Sequence, residues 1–199
     1  MNKIIKDESL TNLSDDEKLL FSHFIAAQFT RVKQSRLTLT QMNDTLVEKL
    51  REMGLDPYNV SGFKPSDATD IKRASIAGLR DNIVTFAPYI YDKAWILFKA
   101  PEAESYYISD NPVTLQNMID RSPFGNLGLA VNGIEIYFPL NNKLSLGMLC
   151  RSYEKMIQSN YRRFNIIKKV GLLKHLGLGQ SQIDRFEELK HALDTGEAV

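Results

Sequence analysis

The chain holds one cysteine, Cys150, in 199 residues. No internal disulfide can form, and a reducing compartment is the simpler expectation. Cys150 closes the apolar run Leu144-Ser-Leu-Gly-Met-Leu-Cys150 and is expected to pack in a strand like a small hydrophobe. A nucleophilic thiol would want a nearby base, and the local sequence supplies none. Excess charge of one sign is missing too. With 25 Lys and Arg against 24 Asp and Glu, the net charge is +1, so no global field argues for nucleic acid, membrane or an acidic substrate. No run of about 18 apolar residues occurs, which excludes an expected membrane-spanning helix. The first eight residues lack the apolar stretch and cleavage signature of a secretory signal, so the cytoplasm is the expected location. Gly177-Leu-Gly179 lacks the lysine and the preceding strand of a phosphate-binding loop. There is no Gly-x-Ser-x-Gly elbow, and no Cys/His set suited to zinc.

What is present is the composition of an ordinary globular protein, 43% hydrophobic and 25% charged. The length suits one domain with a full core. Ser14-Asp-Asp-Glu17 is a capping box, and Leu20, Phe21, Phe24, Ile25, Ala27 and Phe29 follow at near-helical spacing. A first helix is predicted over Ser14 to Ser35 and a second over Leu39 to Met53, ended by Gly54. Leu55 to Pro65 is a loop. Ser66 is the expected N-cap of a third helix, with Asp67 and Asp70 in its first turn. Its stripe is Ile71, Ala74, Ser75, Gly78, Leu79, Asn82, Ile83 and Phe86, and Pro88 should end or kink it.

The pattern then changes. Ala94-Trp-Ile-Leu-Phe-Lys99 has the aromatic and branched character of a strand, with Ser105 to Ser109 as its expected hairpin partner. Ile134 to Phe138 and Leu144 to Cys150 make a second hairpin around Pro139-Leu-Asn-Asn142. Arg121 to Gly133 is a surface loop. Helices return over Ser152 to Lys169 and from Ser181 to about Leu193, and Thr195 to Val199 should fray. The order argues for an α+β fold: a helical part over 13–92, a small, mainly antiparallel sheet of two hairpins over 93–150, and C-terminal helices over 151–194.

Four pieces carry a family resemblance: the helix Phe24-Ile-Ala-Ala-Gln-Phe-Thr-Arg31, Trp95 opening a strand, Ser109-Asp-Asn-Pro-Val113, and Glu135-Ile-Tyr-Phe-Pro-Leu140. In this order they resemble the bacterial domain-of-unknown-function family 4238, over roughly Leu13 to Leu149. Members of that family typically begin with a segment bearing a histidine, an aromatic and a proline. None of His23, His175 and His191 lies beside a proline. The resemblance therefore implies a truncated or shortened chain, holding part of any site to which that histidine contributes.

Candidate chemistry centres on Asp110 and Glu135. Asp110 and Asn111 precede Pro112 at an expected strand end, a rigid edge for polar groups. Asp and Asn before proline are equally turn formers that bond their own backbone. Glu135 alternates onto the face opposite Ile134 and Ile136, either as a plain solvent-facing residue or as half of a carboxylate pair. Were it to meet Asp110, the two could hold a divalent metal or split their pKa values for acid/base work. Gln28 and Arg31, beside the apolar stripe of the first helix, are either a structural clamp for Asp110 or a support for its site, together with Ser109, Asn111 and Pro112. His23 is expected to be a packing or helix-surface residue.

Between Arg151 and Lys174, seven basic residues face one acid, Glu154, with Tyr153, Tyr161 and Phe164 interleaved. Such a helix is a solvated face or a surface for a phosphate backbone, with Arg162, Arg163, Lys168 and Lys169 as its contacts. Two functional expectations follow. One is a nucleic-acid-associated protein, in its sharpest form a metal-assisted phosphodiester hydrolase. The other is a non-catalytic module that binds a protein partner, with Ser-Asp-Asn-Pro serving the fold.

Overall fold

The computed structural model describes residues 1–117, 119, 127–169 and 180–199, and within helices only the backbone of residues 33–36, 163, 164, 166–169, 180–182 and 186. Among the described residues six helices and four strands run in the order α1 (Asn2–Asp7), α2 (Asp15–Thr30), α3 (Lys33–Glu52), α4 (Ala68–Tyr91), β1 (Ala94–Lys99), β2 (Thr114–Asn117), β3 (Ile134–Pro139), β4 (Leu144–Leu149), α5 (Arg151–Lys169) and α6 (Gln180–Thr195). The class is α+β, with helices at both ends of the chain around an antiparallel sheet ordered β1-β4-β3-β2.

The capping box forms. Ser14 Oγ accepts from the Glu17 amide at 3.2 Å, and Glu17 Oε2 accepts from the Ser14 amide at 2.9 Å. The helix it starts ends at Thr30, earlier than expected, and a new helix begins at Lys33 after extended Val32. Asp67, not Ser66, caps α4: its carboxylate accepts from the amides of Thr69 and Asp70. The Ser66 backbone is instead held by Asn43 of α3. Pro88 does not stop α4, which runs three residues further. The carbonyl four residues before a proline loses its helical donor, and here it belongs to Val84, which is 58% exposed, so water can replace the bond.

The main core lies between α2, the C-terminal half of α4 and one face of the sheet. Phe21, Ile25, Ile90, Trp95, Leu97, Ile136, Phe138, Leu146 and Met148 meet there. Phe21 packs edge-on against Trp95 and Phe138, with ring centroids 5.8 and 6.2 Å apart. The Trp95 indole N–H donates to the Ile90 carbonyl at 3.1 Å, satisfying an acceptor at the end of α4. On the other face Ile96, Leu149, Ala192, Leu189, Leu193 and Tyr153 form a second cluster under α5 and α6. β4 is therefore buried on both sides along its whole length.

Two pairings depart from expectation. β1 has the expected limits, but its partner is β4, with Ala94 opposite Leu149 and Lys99 opposite Leu144. Residues 105–109 form no strand. Tyr107 is 91% exposed and Ile108 59%, so the segment buries too little to hold a ladder. The C-terminal residues do not fray. Val199 accepts from the Lys99 amide at 2.7 Å and donates to Leu97 at 2.9 Å, covering β1's outer edge, while Gly196 and Ala198 bond Leu10 and Glu8. The β3–β4 hairpin forms as expected, Ile136 opposite Met148 and Pro139 opposite Ser145.

Removing residues 196–199 deletes these backbone bonds and uncovers an edge. At roughly 1 kcal/mol per bond, the four bonds lost should appear in urea denaturation as a loss of about 4 kcal/mol. An unchanged midpoint would mean that the tail does not close β1.

Candidate functional site

Strand alternation does put Glu135 on the face opposite Ile134 and Ile136, but that face is not solvent. α5 and α6 cover it, and Glu135 is only 5% exposed. It lines a cavity of about 460 Å³ with Ser145 of the adjacent β4, Phe98 of β1 beyond it, Tyr137 two residues along β3, Tyr106 of the β1–β2 connection, Tyr153 of α5 and Arg185 of α6. That size suits a small-molecule site.

The cavity exists because its floor is built from small residues. Tyr137 lies opposite Gly147 in the register. A Cβ on Gly147 would come within 2.3 Å of Phe98 Cε2, so the Phe98 ring lies directly over that glycine. From there it packs at 45° to Tyr137, centroids 6.1 Å apart. Ser145, the next floor position on β4, is 4% exposed. Tyr106 is drawn in by a 2.9 Å bond from its amide to the Asn142 carbonyl in the β3–β4 turn.

The polar groups of the cavity are under-satisfied. Tyr137 donates its hydroxyl to Glu135 Oε2 at 2.8 Å. Among the described residues Glu135 Oε1 has no partner, and neither has the Ser145 hydroxyl. Burial pushes the Glu135 carboxyl up from its ordinary range, against the opposing effect of the Tyr137 hydrogen bond. Burial also raises Tyr106, Tyr137 and Tyr153, the Arg185 charge opposing it in each case; next to a carboxylate Tyr137 moves well above the usual phenol range. Among the described residues no ion pair joins Arg185 to Glu135, and Arg185 pairs with the exposed Glu188 at 3.5 Å. A carboxyl in this state can hold a proton for a ligand or become the counter-charge of a bound cation.

The other residues singled out from the sequence lie elsewhere. Asp110 and Asn111 are exposed. The turn is tied by Ser109, whose hydroxyl accepts from the Asn111 amide at 3.1 Å and donates to its carbonyl at 2.9 Å. Pro112 is half-buried and precedes buried Val113. Glu135 faces Gln116 in the register, six residues beyond Asp110, and Asp110 is not in the cavity wall. Among the described residues no hydrogen bond or ion pair joins Asp110 to Glu135, Gln28 or Arg31. No group of three His, Cys, Asp or Glu among them could hold a metal ion. Gln28 is buried at 7% exposure, and Arg31 is exposed at the end of α2. The His23 ring nitrogen Nδ1 lies 2.8 Å from the Leu19 carbonyl on the helix surface.

Cys150 is half-buried at the β4–α5 junction, not inside the strand. Burial acts to raise its thiol. Hydrogen bonds from Ser152, at 3.1 Å, and from the Gly133 backbone outweigh it, with help from the Lys93 charge, and the net shift is downward. Arg162 is exposed on α5, whereas the side chains of Arg163, Lys168 and Lys169 lie outside the described residues.

A family model described as Protein of unknown function (DUF4238) matches residues 1–170. The chain belongs to the DUF4238 family. That match takes in the whole sheet, Glu135 and Tyr137, and all of α5, and it stops short of the helix that brings Arg185. No curated protein and no solved structure matches this DUF4238 chain. No helix among its described residues is long and apolar enough to cross a membrane.

Tyr106, Tyr137, Ser145 and Arg185 are site residues that the sequence left without a role, and Tyr153 stood out only as an aromatic of the basic helix. The available signal was Glu135 and Tyr137 sharing a strand face, with Tyr137 opposite Gly147 and the small Ser145 two residues from it on β4.

Glu135 holds its proton more tightly folded than unfolded. Its contribution to stability is full below the unfolded pKa and lost as pH rises through the raised folded one. Glu135→Gln should therefore gain melting temperature relative to the parent at about pH 8 and not at about pH 4; equal shifts at both would mean that the carboxyl is not desolvated. Gly147→Ala should cost about 1–3 kcal/mol by displacing Phe98. A double-mutant cycle with Phe98→Leu should recover much of that loss, and strictly additive effects would place the clash elsewhere.

Proposed function

We propose that this protein binds a small organic molecule through a positively charged ammonium group, seated in the cavity over Glu135. The observation that carries this reading is a buried carboxylate, one oxygen unpartnered, walled by the rings of Phe98, Tyr106, Tyr137 and Tyr153. Aromatic faces attract cations, and most strongly where water is excluded. An ammonium ion would supply the charge that burial denies Glu135, and would draw its carboxyl back to the ionised form. The metal-assisted hydrolase reading needs a second carboxylate beside Glu135, and Asp110 is not in the cavity wall.

Association with nucleic acid is a second and separate reading. Its support is the surface of α5, where Arg151, Lys155 and Arg162 are exposed. It makes no use of the cavity. If it holds, neutralising Lys168 and Lys169 should flatten the salt dependence of DNA or RNA binding by about one phosphate contact each.

Calorimetric titration with choline and with n-butylammonium tests the first reading. Binding should strengthen as pH rises through the Glu135 titration, since the carboxylate form is the receptor, and Glu135→Gln should weaken it at least tenfold, about 1.4 kcal/mol. Affinity that ignores both pH and the substitution would remove Glu135 from the site.

A further inference from the structure

Arg185 does not fit a receptor for a simple cation. Its guanidinium stands in the wall of the same cavity as Glu135, close enough for its charge to act on Tyr106, Tyr137 and Tyr153. A bare ammonium ligand would meet repulsion there. We infer that the ligand is a zwitterion: an ammonium group held by Glu135 and the aromatic walls, with a carboxylate held by Arg185. This rests on the reading of the cavity as an ammonium site.

Three observations point the same way. First, the two opposite charges line one cavity without pairing to each other, so the space between them is left for a molecule carrying both complementary charges. Among the described residues Arg185 is otherwise engaged only with Glu188 at 3.5 Å, a pair 56% and 53% exposed at the side chains. Such a contact is weak and easily exchanged for a carboxylate gripped by two parallel N–H bonds. Second, Arg185 is one turn from Leu189 on α6, and both line the cavity. Leu189, Ala192 and Leu193 anchor that helix face in the cluster beneath it, so the guanidinium is presented by a fixed element. Third, the Ser145 hydroxyl, buried and without a partner among the described residues, lines the same cavity and offers a neutral hydrogen bond there. The titratable and charged groups facing Glu135 are Tyr137 from β3, Tyr106 from the β1–β2 connection, Tyr153 from α5 and Arg185 from α6. Among these Arg185 alone can neutralise an acid, which makes it the specificity-determining residue.

The test uses matched probes that differ in an acid group: choline against glycine betaine, and n-butylammonium against 4-aminobutyrate. Each is titrated calorimetrically into the full chain, into Arg185→Gln and into Glu135→Gln. The expected result is that each acid-bearing probe binds the parent on the order of tenfold tighter than its partner, one charge-assisted contact's worth. Arg185→Gln should erase that difference and leave choline unchanged or somewhat tighter. Glu135→Gln should weaken all four probes. Equal affinities within each pair, or a preference that survives Arg185→Gln, would overturn the zwitterion while leaving the ammonium site standing. No binding of any of the four to the parent would overturn the ammonium site and this inference with it.

Discussion

A strand buried on both faces has no solvent side, and β4 is such a strand over all six of its residues. Every other feature of the sheet adjusts to that constraint. Towards α2 and α4 it can be filled with large apolar groups, Leu144, Leu146 and Met148. Towards α5 and α6 it presents Ser145, Gly147 and Leu149, two of them too small to fill the space under a helix layer. The neighbouring strands fill part of it, Phe98 leaning across Gly147 from β1 and Tyr137 from β3. What they leave unfilled is the cavity. Glu135 is thus ionisable, buried and beside empty space as a consequence of the same packing arrangement.

Burying a carboxylate with one hydrogen bond is unfavourable, and a fold built for stability alone would place a leucine or a glutamine there. Three phenols and a guanidinium converge on the same space, two of the phenols without a hydrogen-bond partner among the described residues. Local choices that conflict with stability concentrate where a protein meets its ligand. The exposed Ser109-Asp-Asn-Pro112 turn shows no such conflict. Its serine satisfies the backbone, and its two polar neighbours face solvent at no cost.

The sequence was most legible where structure is local. Ser14 and Glu17 announced the start of α2, Ala94–Lys99 had the right limits as a strand, and Pro139 to Asn142 marked the β3–β4 turn. Each is decided within a few residues by capping geometry, β-branching or turn chemistry. Legibility failed wherever a partner distant in sequence decides. The edge of β1 could be paired by residues 105–109 or by β4, and burial chose β4, whose residues are all apolar or small. The tail looked free because the β1 edge that it completes lies about a hundred positions earlier. Alternation correctly separated Glu135 from Ile134 and Ile136, but it cannot say whether a second helix layer covers the other face. That depends on α6, whose Arg185 looked from sequence like any surface arginine.

The ladder's two ends differ in kind. At β1 the Lys99 amide and the Leu97 carbonyl are taken by Val199, whereas among the described residues β2 is the last strand on the other side. Among the described residues one edge of the sheet is thus partly paired from within its own chain, and fewer free backbone groups remain there for another strand to join.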